Sequence, residues 1–178
     1  MQNQPTLNNP TRRQALKQFG AAFAAIALLP ALPALASDGK LDEDVRLKHF
    51  NLGKNKLALS GYDPVSYHTG KPKKGSSKRA VRYKGVIYRF STDANKEKFR
   101  KSPSKYEPAY GGWCAWAMRE GSKTEIDPQK YLIIDDRLYV FYNGFWGNTR
   151  KDWISLAKKE TNATLIKQAD KGWEGFVG

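Results

Sequence analysis

The sequence predicts an α+β domain: a small antiparallel sheet built from two hairpins, with helices packed on one side. Three observations carry this. Ala80-Val81-Arg82-Tyr83 and Val86-Ile87-Tyr88-Arg89-Phe90 are β-prone runs separated by Lys84-Gly85, hairpin spacing with a glycine able to take a positive φ. Tyr131-Leu132-Ile133-Ile134 and Arg137-Leu138-Tyr139-Val140-Phe141-Tyr142 repeat that plan around Asp135-Asp136. From Phe145 onward the apolar residues Trp146, Trp153, Ile154, Leu156, Ala157, Leu165, Ile166, Ala169 and Trp173 fall at helical spacing.

The remaining elements follow in order. Residues 37–55 are polar and mixed in charge and read as a lead-in segment. Lys56 to Ser60 alternates weakly, as a short strand does, and Gly61-Tyr62-Asp63-Pro64 is a turn signal. Val65-Ser66-Tyr67-His68 reads as a short extended piece, and Gly70 to Lys78 as a loop. Ser91 or Thr92 caps a helix that ends before Pro103, and Tyr110-Gly111-Gly112 breaks the chain before Trp113-Cys114-Ala115-Trp116-Ala117-Met118. One domain over 56–150 and a helical extension over 151–178 packed upon it account for the pattern. No internal repeat stands out.

The first 36 residues stand apart. Thr11-Arg12-Arg13-Gln14-Ala15-Leu16-Lys17 precedes an uncharged stretch rich in Ala and Leu, which ends in Ala34-Leu35-Ala36. A charged start, an apolar middle and a small-residue exit are the parts of a secretory signal. The paired Arg12 and Arg13 resemble the twin-arginine consensus, with Ala15 in place of the more usual Phe. The alternative, a retained anchor, fits less well, because the stretch is mostly alanine and carries Pro30 and Pro33. Cleavage after Ala36 is expected, with the twin-arginine translocase and a signal peptidase as partners, and a periplasmic location for the product.

Composition narrows the function. Net charge is +14, and +11 once Arg12, Arg13 and Lys17 leave with the leader. Basic residues are spread through 71–84 and 96–105, which suits a solvated surface or an anionic envelope surface; nucleic acid is not expected outside the cytoplasm. The single cysteine, Cys114, rules out an intramolecular disulfide, so burial of aromatics must supply stability.

Gly61-Tyr62-Asp63-Pro64-Val65-Ser66-Tyr67, the hairpin run Tyr83 to Ser91, then Phe99, Pro103-Ser104-Lys105-Tyr106 and Tyr110-Gly111-Gly112-Trp113-Cys114-Ala115 together resemble the YHS domain. The form resembled is the stand-alone exported protein of Gram-negative bacteria, in detail over 58–118 and more loosely to about residue 150. Some members of that family carry cysteine-based metal sites after the Asp-Pro-Val motif and at the start of the helix after the hairpin. Ser66 or its neighbours, Ser91 and Asn95 occupy those places here and offer no thiolate.

What remains for chemistry is sparse. Cys114 and Met118 are four apart and share a face if 113–118 is helical. With His68 as nitrogen ligand they form a donor set suited to a soft ion such as Cu(I), so copper or zinc is the metal to consider. Tyr62, Asp63, Tyr110 and Trp113 are candidates to complete or shape such a site. The plainer alternative makes Cys114 a small buried hydrophobe and Met118 a gap-filler. No phosphate loop, His-Glu-x-x-His helix or nucleophile elbow occurs, and Asp135-Asp136 is explained by turn chemistry, so an enzyme is not predicted. Three functions stay open: a non-enzymatic binding module, an envelope-associated structural or interaction protein with a basic aromatic surface, and a thiol enzyme using Cys114.

Overall fold

The computed structural model describes residues 41–178. The leader, with Arg12 and Arg13, lies outside the described residues.

The segment read as a lead-in turns out to be part of the core. Helix α1 (Glu43–His49) starts at Asp42, whose carboxylate accepts from the Val45 N–H at 2.9 Å, with Glu43 and Asp44 in its first turn. It carries Arg46, fully buried, and is followed by buried Phe50. A buried guanidinium is tolerable only when paired. Arg46 pairs with Glu107 and donates through Nε to the Lys84 carbonyl at 3.3 Å, while the Tyr88 hydroxyl donates to Glu107 at 2.5 Å. Those partners lie tens of residues along the chain, so a local reading sees only a charged stretch.

Both hairpins form. Strands β3 (Ser76–Tyr83) and β4 (Val86–Phe90) are joined by Lys84 at φ 44° and Gly85 at φ 80°. A two-residue loop with positive φ at both positions matches the right-handed twist of the strands. Val86, Tyr88 and Phe90 are buried and share one face, as period two demands. Ahead of the hairpin, β1 (Leu52–Gly53) and β2 (Leu57–Ala58) extend the sheet, in the order β1-β2-β4-β3. Leu57 pairs with Ile87 in parallel, so this sheet is mixed rather than wholly antiparallel. A two-residue strand is too short to show alternation in the sequence. β3 also begins inside the stretch read as a loop, since its polar start lies beyond an irregularity between Ser76 and Ala80.

The second hairpin, β5 (Asp127–Ile134) and β6 (Arg137–Phe141), is a separate sheet. It turns at Asp135 (φ 49°) and Asp136 (φ 61°). Leu138, Tyr139, Val140 and Phe141 are all buried, because β6 is covered on both faces. One edge of β6 pairs with β5, and the other meets Pro108 and Cys114 through single parallel bridges at Leu138 and Val140.

The helices close the core. α2 (Asp93–Lys101), capped by Thr92, buries Phe99 against the first hairpin. α3 (Pro103–Tyr106) and α4 (Ala115–Met118) pack on β6. α5 (Thr149–Glu160) covers both strands of the second hairpin, and α6 (Asn162–Val177) rests on α1, α4 and α5. Together the last two helices bring Trp153, Leu165, Ala169 and Trp173 inside.

One expectation fails here. Residues 143–148 form a small hairpin, β7 (Asn143–Gly144) and β8 (Gly147–Asn148), with Phe145-Trp146 at its tip. Helix α5 starts only at Thr149, where the Asn148 side chain accepts from the Lys151 N–H at 3.3 Å. Trp146 matched the helical spacing by coincidence, and the glycines on either side of the aromatic pair were the better guide.

Candidate functional site

Asp63 organises the first part of the site. Its side chain is buried and accepts from the Val65 N–H (2.9 Å) and Ser66 N–H (3.3 Å) on one oxygen. The other oxygen accepts from the Ser91 N–H (2.8 Å), the Ser91 hydroxyl (2.6 Å) and the Asn95 amide (2.7 Å). The Ser66 hydroxyl donates to the Asp63 carbonyl at 2.7 Å and accepts from the Lys73 N–H at 2.9 Å. So Ser66, Ser91 and Asn95, the positions where the resemblance puts metal-binding cysteines, do converge in space. They converge as hydrogen-bond donors around one carboxylate, and a cysteine-type metal centre does not fit these residues.

That network holds the short turn Ser66–Thr69, which aims two aromatic side chains in sequence. The Tyr67 hydroxyl donates to the Pro128 carbonyl at 2.9 Å, and its ring stands edge-on to Tyr131 at 5.0 Å. Burial pushes the Tyr67 phenol well above its ordinary range, so it acts as a fixed donor. His68 faces the turn of the second hairpin: its Nδ1 lies 3.3 Å from Asp136, and its ring is edge-on to Tyr106 at 5.1 Å. Asp136 also pairs with Lys105 at 2.6 Å, and that hydrogen bond lowers its carboxyl.

His68 is 12% exposed in its side chain, and burial lowers its pKa below 6.5 despite the opposing pull of Asp136. Its Nε2 is buried without a hydrogen-bond partner, so a proton added there would be poorly accommodated. The neutral ring therefore donates from Nδ1 to Asp136.

An open cavity of about 770 Å³ lies beside this turn, between it, β5 and the start of α5. Tyr67, His68 and Tyr131 form part of its wall, and Lys130, Arg150 and Lys151 bring three positive charges to it. Arg150 is braced by an Nε–H donated to the Tyr131 carbonyl at 2.7 Å. The lone acid of the lining, Asp136, is already neutralised by Lys105. A polar, cationic, aromatic-walled cavity suits a small anion.

The other residues singled out from the sequence lie elsewhere. Cys114 is buried at the N-terminal end of α4 rather than inside it, and its carbonyl accepts from the Met118 N–H at 3.0 Å. Its sulfur accepts from the Tyr142 N–H at 3.3 Å and sits 3.4 Å from the Thr149 hydroxyl. That hydroxyl donates to the Tyr142 carbonyl at 3.0 Å, which leaves the thiol as donor to Thr149. Cys114 thus ties α4 to the junction after β6. Met118 is buried beside α6.

No side chain is common to the polar and aromatic contacts of Cys114 and those of His68, and neither Cys114 nor Met118 lines the cavity. Among the described residues no group of three or more His, Cys, Asp and Glu is placed to hold a metal ion. Tyr110 donates to Asp170 at 3.0 Å, and Trp113 donates to the His49 carbonyl at 2.7 Å, both within the packing of α1 and α6. Only Tyr62 reaches the cavity's border, where its hydroxyl accepts from Gln129 at 3.3 Å.

Sequence reasoning missed Tyr67, Lys130, Tyr131, Arg150 and Lys151. The one available signal was the adjacent pair Arg150-Lys151 beside a helix start, which carries no hint of Tyr67 some eighty residues earlier. No helix among the described residues is long and apolar enough to cross a membrane. Searches with family models, among curated proteins and among solved structures each found no match to this chain.

Proposed function

We propose that this chain is an exported, YHS-like binding module, non-enzymatic, that holds a small anionic ligand in the cavity beside His68. The observation that carries this reading is the grouping of Lys130, Arg150 and Lys151 with Tyr67, His68 and Tyr131 around about 770 Å³ of open space. Export rests on the Arg12-Arg13 leader, and family kinship on the motifs from Gly61 to Ala115. A thiol mechanism is disfavoured because the Cys114 sulfur is buried and engaged on both sides. A resident copper or zinc ion is disfavoured because the Cys114 thiol and the His68 imidazole share no contacts, and among the described residues no group of three or more His, Cys, Asp and Glu is placed to hold a metal.

The test is a thermal-shift series with phosphate, succinate, citrate, Cu(I) and Zn²⁺, on the wild type and on the Lys130→Glu/Lys151→Glu variant. A ligand at about a hundred times its dissociation constant adds about 2.7 kcal/mol to the native state. The expected result is stabilisation by an anion that the charge-reversed variant lacks. Stabilisation by metal alone, or an anion effect that survives the reversal, overturns the reading.

A further inference from the structure

Phe145 and Trp146 are 89% and 84% exposed, and Ile154 is the only other exposed large hydrophobic among the described residues. Their rings meet edge to face at 4.8 Å and pack on nothing in the core. The tip is nonetheless held in place. Asn143 pairs with Asn148 and Gly144 with Gly147, and the Trp146 N–H donates to the Tyr142 hydroxyl at 3.3 Å. The Asn143 amide donates to Asp127 at 3.1 Å, anchoring the hairpin to β5. A solvated aromatic pair costs free energy, and this one does nothing for the fold.

Its surroundings specify a partner. Asn148, which ends the hairpin, lies in the same cavity wall as Lys130, Arg150 and Lys151, so the base of the aromatic hairpin adjoins a cationic rim. Asp127, to which the hairpin is anchored, is occupied by Asn143 and by Lys130 at 3.8 Å, and Arg150 and Lys151 add further positive charge. Two rings on a two-residue loop offer far less than the roughly 800 Å² per partner of a stable protein interface. They suffice for a lipid interface, where Trp seats at headgroup level and cations add attraction to an anionic leaflet.

We propose that the Phe145-Trp146 tip seats in the interface of an anionic lipid bilayer, with Lys130, Arg150 and Lys151 against its headgroups. This goes beyond the cavity reading and stands without it.

The test is binding of the full chain to vesicles of phosphatidylglycerol with phosphatidylethanolamine, and to phosphatidylcholine vesicles, with and without brominated acyl chains. Wild type, Phe145→Ser/Trp146→Ser and Trp146→Phe are compared. All three share the apolar run before Ala36, so differences among them belong to the tip. The double variant is expected to bind anionic vesicles about tenfold more weakly with unchanged melting temperature. Trp146→Phe is expected to bind normally but lose most of the quenching by brominated lipid, since Trp153 and Trp173 are buried and Trp113 and Trp116 are half-buried against the core. High salt weakens the wild-type binding. Unchanged binding in the double variant, undiminished quenching in Trp146→Phe, equal affinity for phosphatidylcholine, or no binding at all overturns the proposal. Stabilisation by soluble anions is expected to survive in the double variant; its absence from every chain overturns the cavity reading alone.

Discussion

Asp63 and His68 show how much one residue can set. Asp63 receives five donors from two stretches of chain, 65–66 and 91–95, so its loss strands several buried polar groups at once. Asp63→Ala is expected to cost about 3 kcal/mol or more, read from the urea midpoint. The sequence flagged Asp63 through its Asp-Pro turn; the turn was legible, whereas the reach to Ser91 and Asn95 was not. His68 supplies a pH dependence. Its folded pKa lies below 6.5, so the unfolded chain takes up the proton first as pH falls below that value. The contribution of His68 to stability is therefore full above the unfolded value of about 6.5 and declines as pH falls through and below it. His68→Asn is expected to shrink that decline in urea titrations without abolishing it, because His49 is shifted in the same direction by burial and by Lys123 and Lys48.

At the scale of elements, the two hairpins are one plan used twice without sequence repetition. Each joins an eight-residue strand to a five-residue strand through two residues of positive φ, with a register irregularity near its open end. This much was readable, since alternation and turn chemistry are local. The helix contacts were not, and Gly172 on α6 illustrates why. A Cβ there would lie 1.9 Å from the Met118 carbonyl oxygen, a backbone atom that α4 fixes. Alanine is the better helix former by about 1 kcal/mol, yet the clash forces the helices apart. Gly172→Ala is expected to lower stability by about 1–3 kcal/mol, visible as a lower melting temperature.

For the whole molecule, burial of aromatics from every part of the described residues replaces the cross-link that one cysteine cannot make. Trp153 and Trp173 from the last two helices, Phe50 from the first segment and Tyr110 from a central turn enter one core. Hence the division into lead-in, domain and extension understates how far both ends belong to the same body. The cavity is walled by β5, the His68 turn and the first turn of α5, stretches far apart in sequence, so no local pattern announces it. The same closure governs the fate of the lone thiol. Cys114 sits where the chain's middle and its C-terminal helices join, so an oxidant meets it only after that junction opens. In the closed molecule the sulfur is out of reach of another chain's thiol, whereas a misassembled one would expose it to an intermolecular disulfide, given an external oxidant to take the two electrons. The buried sulfur is thereby a record of whether folding was completed.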